Sequence, residues 1–179
     1  MLDHRYRKVF FASMPSHMRI GAEIGVSHGD FSYNILTVRP NTKLYLVDIW
    51  ELNDQLPNPS SAYQTTLNKL SCFDQSRYEI VKAPSVDSAR KFNDNYFDFI
   101  YIDADHNYEA VVKDLEAWYP KVRSGGLVMG HDYCQPWGVV QAVDEFIARH
   151  KYDLYTINSK GYHDGDQDGG SPSWYFIKR

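Results

Sequence analysis

Apolar residues along the chain occur in short runs, and each run ends at a glycine or another polar residue. The four clearest runs cover residues 19–26, 43–50, 97–104 and 126–133. Short and almost continuously apolar runs are typical of parallel strands that helices cover on both faces. A weaker run at 78–81 predicts one further strand.

Between these strands, apolar residues recur every three or four positions, as they do on one face of a helix. This periodicity predicts a helix that begins after Asn107, its N-cap, and ends at Pro120. It predicts another helix over residues 138–150, and residues 85–92 are helix-like as well. Strands that alternate with helices predict an α/β fold, with a Rossmann-like, mostly parallel sheet and helices on both faces.

The length of 179 residues predicts a single domain, which we divide into three parts. We expect an amino-terminal helix within residues 1–18, a ligand-binding α/β core over residues 19–150 and a β-hairpin over residues 151–179. The hairpin is predicted because two strand-like runs near the end of the chain are separated only by a polar, glycine-rich loop.

Net charge, the length of the apolar runs and the cysteine content restrict the partners and the location that we expect. The net charge is −4, and we interpret the basic residues Arg5, Arg7 and Lys8 as a solvated helix face, so no nucleic-acid partner is expected. No run approaches the ~20 apolar residues of a membrane span, so no membrane partner is expected either. Cys72 and Cys134 are far apart and match no metal or disulfide pattern, which favours a cytoplasmic location.

Polar residues follow the first two strands at the edge where open parallel sheets bind ligands. Gly25 and Gly29 permit a tight turn close to a ligand, and Glu23 could hold an amine or organise that turn. Asp48 follows about 20 residues later, where a carboxylate accepts from both hydroxyls of a ribose. The spacing ExGxxxG differs from the GxGxxG of nicotinamide dinucleotide sites, which favours a ribose ligand without a pyrophosphate. The alternatives are a packing turn and an exposed strand-end carboxylate.

The third and fourth clear strands end in acidic residues and histidines. Asp103 and Asp132 could converge on a hard divalent cation, with His131 as a further ligand. His106, three residues after Asp103, is a candidate general base. The alternatives are that Asp105 and His106 only cap the following helix, and that His131 is a hydrogen-bonded residue at a strand end.

In this order and spacing, four segments resemble the class I S-adenosylmethionine-dependent methyltransferases: GAEIGVSHGDFS, LYLVDIWE, FDFIYIDADHNYEAVVKDLEAWYPKVRSGGLVMGHDY and GVVQAVDEF. More narrowly, they are similar to the small O-methyltransferase group that includes macrocin O-methyltransferase and, more distantly, catechol O-methyltransferase. The resemblance extends from Ile20 to Ile147. It implies a sheet of seven strands in which the last is antiparallel.

The resemblance also implies roles for individual residues. S-adenosylmethionine would be held by Glu23, Gly25, Ser27, Gly29, Asp48, Ile49, Ser85 and Asp103. Glu23, Gly25 and Gly29 would line its methionine part, Asp48 would bind the ribose, and Ile49 and Ser85 would lie at the adenine. A divalent cation, Mg or Mn, would be held by Asp103, His131 and Asp132. His106 would be the base, and some members use the position of Asp105. Metal-dependent relatives usually have an acidic residue in place of His131, so this site either prefers a transition metal or has lost its metal.

The implied reaction is methyl transfer to a hydroxyl oxygen of a small molecule, such as a sugar or a natural product. The [DN]PPY motif of many amino-methyltransferases is absent. The strand predicted at 97–104, which is the fourth when the weaker run at 78–81 is counted, ends in DADH instead, and this favours oxygen as the acceptor atom. Two alternatives stay open: a nucleotide-dependent oxidoreductase or hydroxylase-like relative, and a non-catalytic S-adenosylmethionine-binding module. Residues 51–66 are a candidate lid, acceptor wall or surface loop, and residues 163–170 a candidate rim loop. The oligomeric state is open, with a homo-oligomer as one alternative.

Overall fold

A computed structural model of the chain describes residues 2–3, 6–50, 59–134, 136, 138–157 and 171–179. Its strands are β1 Ile20–Ile24, β2 Lys43–Asp48, β3 Tyr78–Lys82, β4 Phe97–Ile102, β5 Val122–Gly130, β6 Tyr155–Ile157 and β7 Ser173–Ile177. Its helices are α1 Arg7–Ser13, α2 Asp30–Val38, α3 Pro59–Leu70, α4 Ser85–Ala89, α5 Tyr108–Trp118 and α6 Val139–His150. No helix of the described residues is long and apolar enough to cross a membrane.

The seven strands form one sheet in the order β3-β2-β1-β4-β5-β7-β6. Strands β1 to β5 pair in parallel, and β7 runs antiparallel to both of its neighbours, β5 and β6. One face of the sheet packs against α1, α2 and α3, and the other against α4, α5 and α6. The predicted α/β class, the seven strands and the reversed last strand are confirmed.

The four clear strands end two to three residues earlier than their apolar runs predict. The sequence runs continue to residues 26, 50, 104 and 133, but the chain turns away first. At Gly25 the cause is a positive φ of 88°, a left-handed conformation that ends an extended strand. Asp103, His131 and Asp132 consequently lie just outside the sheet edge, where their side chains can meet.

Helix α3 corrects the prediction for residues 51–66. Its described part, from Pro59 onward, is helical rather than a loop, while residues 51–58 lie outside the described residues. Proline is favoured in the first turn of a helix, because its missing N–H would have no partner there. Ala62, Thr66 and Leu70 recur every four residues and are buried, so this face packs against the rest of the molecule. The candidate rim loop at 163–170 also lies outside the described residues.

Arg39, just after α2, ties the amino-terminal helix to the rest of the fold. Its guanidinium donates hydrogen bonds of 2.6–3.1 Å to the backbone carbonyls of Phe11, Met14, Pro15 and Met18. These carbonyls lie at the end of α1 and in the link to β1. The clamp therefore fixes α1 against the same face of the sheet as α2.

Candidate functional site

A cavity of about 1440 Å³ opens at the carboxyl edge of the sheet. Small-molecule sites usually measure roughly 300–1,000 Å³, so this space exceeds the needs of one small ligand. The sequence-predicted residues that line it are Glu23, Gly25, Ser27, Asp48, Ile49, Ser85, Asp103, Asp105 and His106. The structure thus brings together residues from four strand ends that are far apart in sequence.

The turn after β1 comes so close to β4 that only glycine fits at residue 25. A Cβ atom on Gly25 would lie 2.0 Å from the carbonyl oxygen of Asp103. Gly29 also has a positive φ, 76°, but a Cβ atom there would meet Thr66 of α3 at 3.0 Å. Gly29 is not among the residues that line the cavity. Close packing against α3 explains why residue 29 is a glycine.

Asp48 links the end of β2 to this turn. One carboxylate oxygen accepts hydrogen bonds from the N–H groups of Val26, at 2.7 Å, and Ser27, at 2.8 Å. The other accepts from the N–H of Trp50 at 2.9 Å. Because two carboxylate oxygens offer about four lone-pair sites, Asp48 keeps acceptor capacity while it holds the turn.

Glu23 is buried in β1, two residues before Gly25. Burial raises the pKa of its carboxyl group to about 8, although the hydrogen bond from Ser32 and the charge of Arg7 lower it in part. The raised pKa favours the protonated form of the carboxyl group, which can donate as well as accept a hydrogen bond. Through Ser32 it ties β1 to α2, so it organises the region as well as lining the cavity.

Arg7 is a cavity residue that the sequence analysis missed, and its interpretation as solvent-exposed was wrong. Its side chain is only 6% exposed. The guanidinium lies 4.4 Å from the ring centroid of Phe31 and donates to the hydroxyl of Tyr101 at 3.1 Å. A signal was present, because Arg7 stands three and four residues before Phe10 and Phe11, on the apolar face of α1.

Asp103, His131 and Asp132 form a cluster beside the cavity, with one potential ligand atom from each within 4.8 Å of the others. The Nε2 atom of His131 lies 3.1 Å from the carbonyl oxygen of Ser171. Since a carbonyl only accepts, Nε2 carries the proton. The other ring nitrogen, Nδ1, lies 3.4 Å from Asp132 and 3.7 Å from Asp103.

This donor set fits a metal ion, but not magnesium in particular. Two carboxylates and one imidazole nitrogen suit a divalent transition-metal ion, whereas magnesium prefers oxygen ligands alone. The hydrogen bond between His131 and Ser171 has the form that usually orients a metal-binding imidazole.

His106 reaches the same two carboxylates from the start of α5. Its Nε2 atom lies 3.1 Å from Asp132 and 3.5 Å from Asp103. The hydrogen bond with Asp103 is the main reason that the pKa of His106 is raised. Burial alone would raise the pKa of Asp132, but a protonated His131 imidazole, through its Nδ1–H and its charge, brings it down to about 2.

Asp105 and Asn107 have structural roles at the start of α5. The carboxylate of Asp105 accepts from the N–H of Asn107 at 3.0 Å, and the Asn107 side chain accepts from the N–H of Ala110. The predicted N-cap is thus confirmed. Asp105 is exposed and lines the cavity, so its capping bond does not remove it from the site.

The opposite end of the cavity lies between α4 and α5. Ser85 begins α4, and its hydroxyl donates to Asp114 of α5 and accepts from the indole N–H of Trp118 at 2.9 Å. Asp114 lines the cavity and was not predicted. Its position among the buried residues Val111 and Trp118 of the same helix face was the available signal.

Comparison with known proteins places these features in context. The family described as a methyltransferase domain matches residues 22–133, more than half of the chain. The search of the curated proteins found no match.

Solved structures share the fold. Cofactor-bound Rv0187 from MTB is 16% identical with a TM-score of 0.67, over 95% of this chain and 78% of that one. The Bacillus cereus O-methyltransferase in complex with SAH is 16% identical with a TM-score of 0.67, over 94% and 79%. The precorrin-6y C5,15-methyltransferase from Geobacter metallireducens is 13% identical with a TM-score of 0.64, over 89% and 80%. At these identities the likeness concerns the fold alone.

Proposed function

This chain belongs to the methyltransferase domain family, and we propose that it transfers the methyl group of S-adenosylmethionine to a hydroxyl oxygen of a small molecule. The family match confirms the resemblance to class I S-adenosylmethionine-dependent methyltransferases that the motifs indicate. One arrangement supports the proposal most: the Gly25 turn and Asp48 line the same cavity as Asp103 and His106.

The residues at the strand ends fit the cofactor. The Gly25 turn has no side chain to fill the cavity, and Asp48 retains acceptor sites for the ribose hydroxyls. Ile49 lines the cavity beside Asp48, where an adenine would lie. When bound, the cofactor supplies a methyl group that its sulfonium already makes electrophilic. The task of the protein is therefore to hold the acceptor in line with that methyl and to remove the acceptor proton.

Three considerations favour an oxygen acceptor. Strand β4 is followed by DADH rather than by the [DN]PPY of many amino-methyltransferases. His106 lines the cavity and can accept the proton of a hydroxyl group. Structural neighbours include the Bacillus cereus O-methyltransferase. The cavity volume of about 1440 Å³ leaves room for a small acceptor beside the cofactor.

We also propose that Asp103, Asp132 and His131 hold a divalent transition-metal ion. The support is the cluster geometry and the Nδ1 atom that His131 directs at both carboxylates. When bound, such a cation lowers the pKa of a hydroxyl group that coordinates it. His106, next to the same carboxylates, is then placed to take the released proton.

Calorimetric titration with S-adenosylhomocysteine tests the cofactor. We expect micromolar binding, and much weaker binding of reduced nicotinamide dinucleotide, which the oxidoreductase alternative would favour. Failure to bind S-adenosylhomocysteine with or without added metal would overturn the proposed function. His106→Ala should keep this binding but lose methyl transfer, whereas a non-catalytic binding module would show no transfer in either protein.

Titration with metal salts tests the cation. Manganese or cobalt should bind more tightly than magnesium, and His131→Asp, which supplies a third carboxylate, should shift the preference toward magnesium. Equal binding of all three ions by the natural protein would contradict a transition-metal site. Absence of binding would show that the cluster is a hydrogen-bonded group only.

A further inference from the structure

Asp114 is a carboxylate on the core-facing side of a helix, where burying a charged group costs free energy unless it is paired or hydrogen-bonded. It is 4% exposed, and it lies on α5 between the buried residues Val111 and Trp118. It also lines the cavity, together with Ser85. Burial raises its pKa to about 6, although the hydrogen bond from Ser85 lowers it in part.

The chemistry of its neighbours fixes the direction of each hydrogen bond. The indole N–H of Trp118 can only donate, so the Ser85 oxygen is its acceptor. Ser85 donates its single hydroxyl proton to Asp114, whose carboxylate oxygen accepts it. Ser85 has therefore used its proton, and it cannot at the same time donate to a ligand.

Among the described residues, Ser85 is the one hydrogen-bond donor to Asp114, and it engages one of the two carboxylate oxygens. At Asp114 the cavity wall thus presents an acceptor. A ligand group that lies against this carboxylate without an energetic penalty must carry N–H or O–H. A carbonyl oxygen at the same place would face the carboxylate oxygen, with no proton between them.

We infer that Asp114 accepts a hydrogen bond from the exocyclic amino group of the bound nucleobase and so selects a 6-aminopurine over a 6-oxopurine. Ser85 is then a positioning residue: it orients the Asp114 carboxylate and does not itself hydrogen-bond to the base. The inference rests on the proposed function, since it assigns the adenine of S-adenosylmethionine to the end of the cavity between α4 and α5.

The test compares S-adenosylhomocysteine with its deaminated analogue, S-inosylhomocysteine, by calorimetric titration. The natural protein should bind the adenosyl compound roughly 10–100-fold more tightly, as expected for a hydrogen bond to a charged acceptor. Asp114→Asn offers an amide N–H₂ in place of one oxygen, so the preference should shrink or reverse. Asp87→Asn, which removes an exposed carboxylate of α4, should leave the preference unchanged.

The outcomes separate this inference from the proposed function. If the natural protein binds neither compound, both fail. If it binds both equally well, the inference fails and the methyltransferase assignment stands, whatever happens in the variants. If Asp114→Asn does not fold, Ser85→Ala serves instead: it should reduce the preference by freeing the carboxylate, and an unchanged preference would overturn the role of the pair.

Discussion

The Asp48 carboxylate accepts a hydrogen bond of 2.8 Å from the backbone N–H of Ser27, across the gap between two neighbouring strand ends. The same oxygen accepts from Val26, so a residue that the motif assigns to ligand binding also shapes the turn that receives the ligand. Binding and local folding at this edge therefore depend on one side chain.

Asp48→Asn should damage both roles. The amide group replaces one acceptor oxygen by a donor, which leaves backbone N–H groups without a partner and should lower the free energy of unfolding by about 1–3 kcal/mol. Binding of S-adenosylhomocysteine should weaken at least tenfold. Urea denaturation and calorimetry measure the two effects separately.

A matched control for this variant is Asp74→Asn. Asp74 also accepts from a backbone N–H, that of Ser76 at 2.8 Å, but it does not line the cavity. The Asp74→Asn variant should lose some stability but keep the affinity of the natural protein for S-adenosylhomocysteine. Normal affinity in Asp48→Asn would contradict the assignment of Asp48 to the ligand.

Gly25 offers a test of close backbone approach. Gly25→Ala places a methyl group 2.0 Å from the Asp103 carbonyl oxygen and also forces alanine into a positive φ of 88°. Gly125 has a similar φ, 76°, but a Cβ atom there would meet its nearest neighbour only at 3.6 Å. Gly125→Ala should therefore cost about 1–2 kcal/mol for the left-handed conformation alone. Gly25→Ala should lower the free energy of unfolding, measured by urea denaturation, by clearly more than Gly125→Ala does. Equal losses in the two variants would show that the backbone of residue 25 does not approach Asp103 closely.

Most of the architecture could be predicted from the sequence, because strand and helix periodicities leave few arrangements open. The apolar runs place β1, β2, β4 and β5, and the polar residues after them mark the edge of the sheet where the cavity opens. Helix α3 could not be placed in the same way. Its buried face is made of Ala62, Thr66 and Leu70, and a small residue and a threonine give little apolar contrast.

The site itself was harder to predict where a charged residue is buried. Arg7 and Asp114 both lie on apolar helix faces, and a charged side chain usually argues for exposure. The free-energy cost of burying these charged side chains is offset by hydrogen-bond partners that are distant in sequence, Tyr101 for Arg7 and Ser85 for Asp114. Such partners cannot be found by local periodicity, since they depend on how the helices pack across the sheet.

Because of Asp98, the free energy of unfolding should depend on pH in the acid range. Burial on its own would raise the pKa of this carboxyl group, but hydrogen bonds from Arg123 and from the N–H groups of Ile20 and Arg19 lower it overall. The stabilisation is therefore fully present above the unfolded pKa of about 3.9 and is lost as the pH falls through the lower, folded value. Asp98→Asn should reduce the free energy of unfolding by about 2–3 kcal/mol near pH 7.

The difference in melting temperature between the natural protein and Asp98→Asn should narrow as the pH falls below 4. Asp94→Asn is the control, because Asp94 pairs with Lys121 at the surface and should have a smaller effect. A difference that stays constant from pH 7 to pH 2 would show that the charge of Asp98 does not matter.

Arg7 should bind an anionic group of the cofactor. Arg7 lines the cavity, and its charge acts on Glu23, which the family resemblance assigns to the methionine part of the cofactor. A carboxylate there would gain a charge-assisted hydrogen bond. Arg7→Gln should thus weaken S-adenosylhomocysteine binding by roughly 10–100-fold. Binding of 5′-methylthioadenosine, which lacks the amino-acid end, should change little, and Lys8→Gln on the same helix should affect neither.

Equal losses for the two compounds in Arg7→Gln would point to a different cause. Because Arg7 is buried and bonds to Tyr101, its replacement could loosen α1 and disturb the whole cavity. Thermal denaturation of the variant without ligand measures this effect. A stable variant that loses only S-adenosylhomocysteine assigns Arg7 to the carboxylate, whereas a stable variant that binds both compounds normally removes Arg7 from the cofactor site.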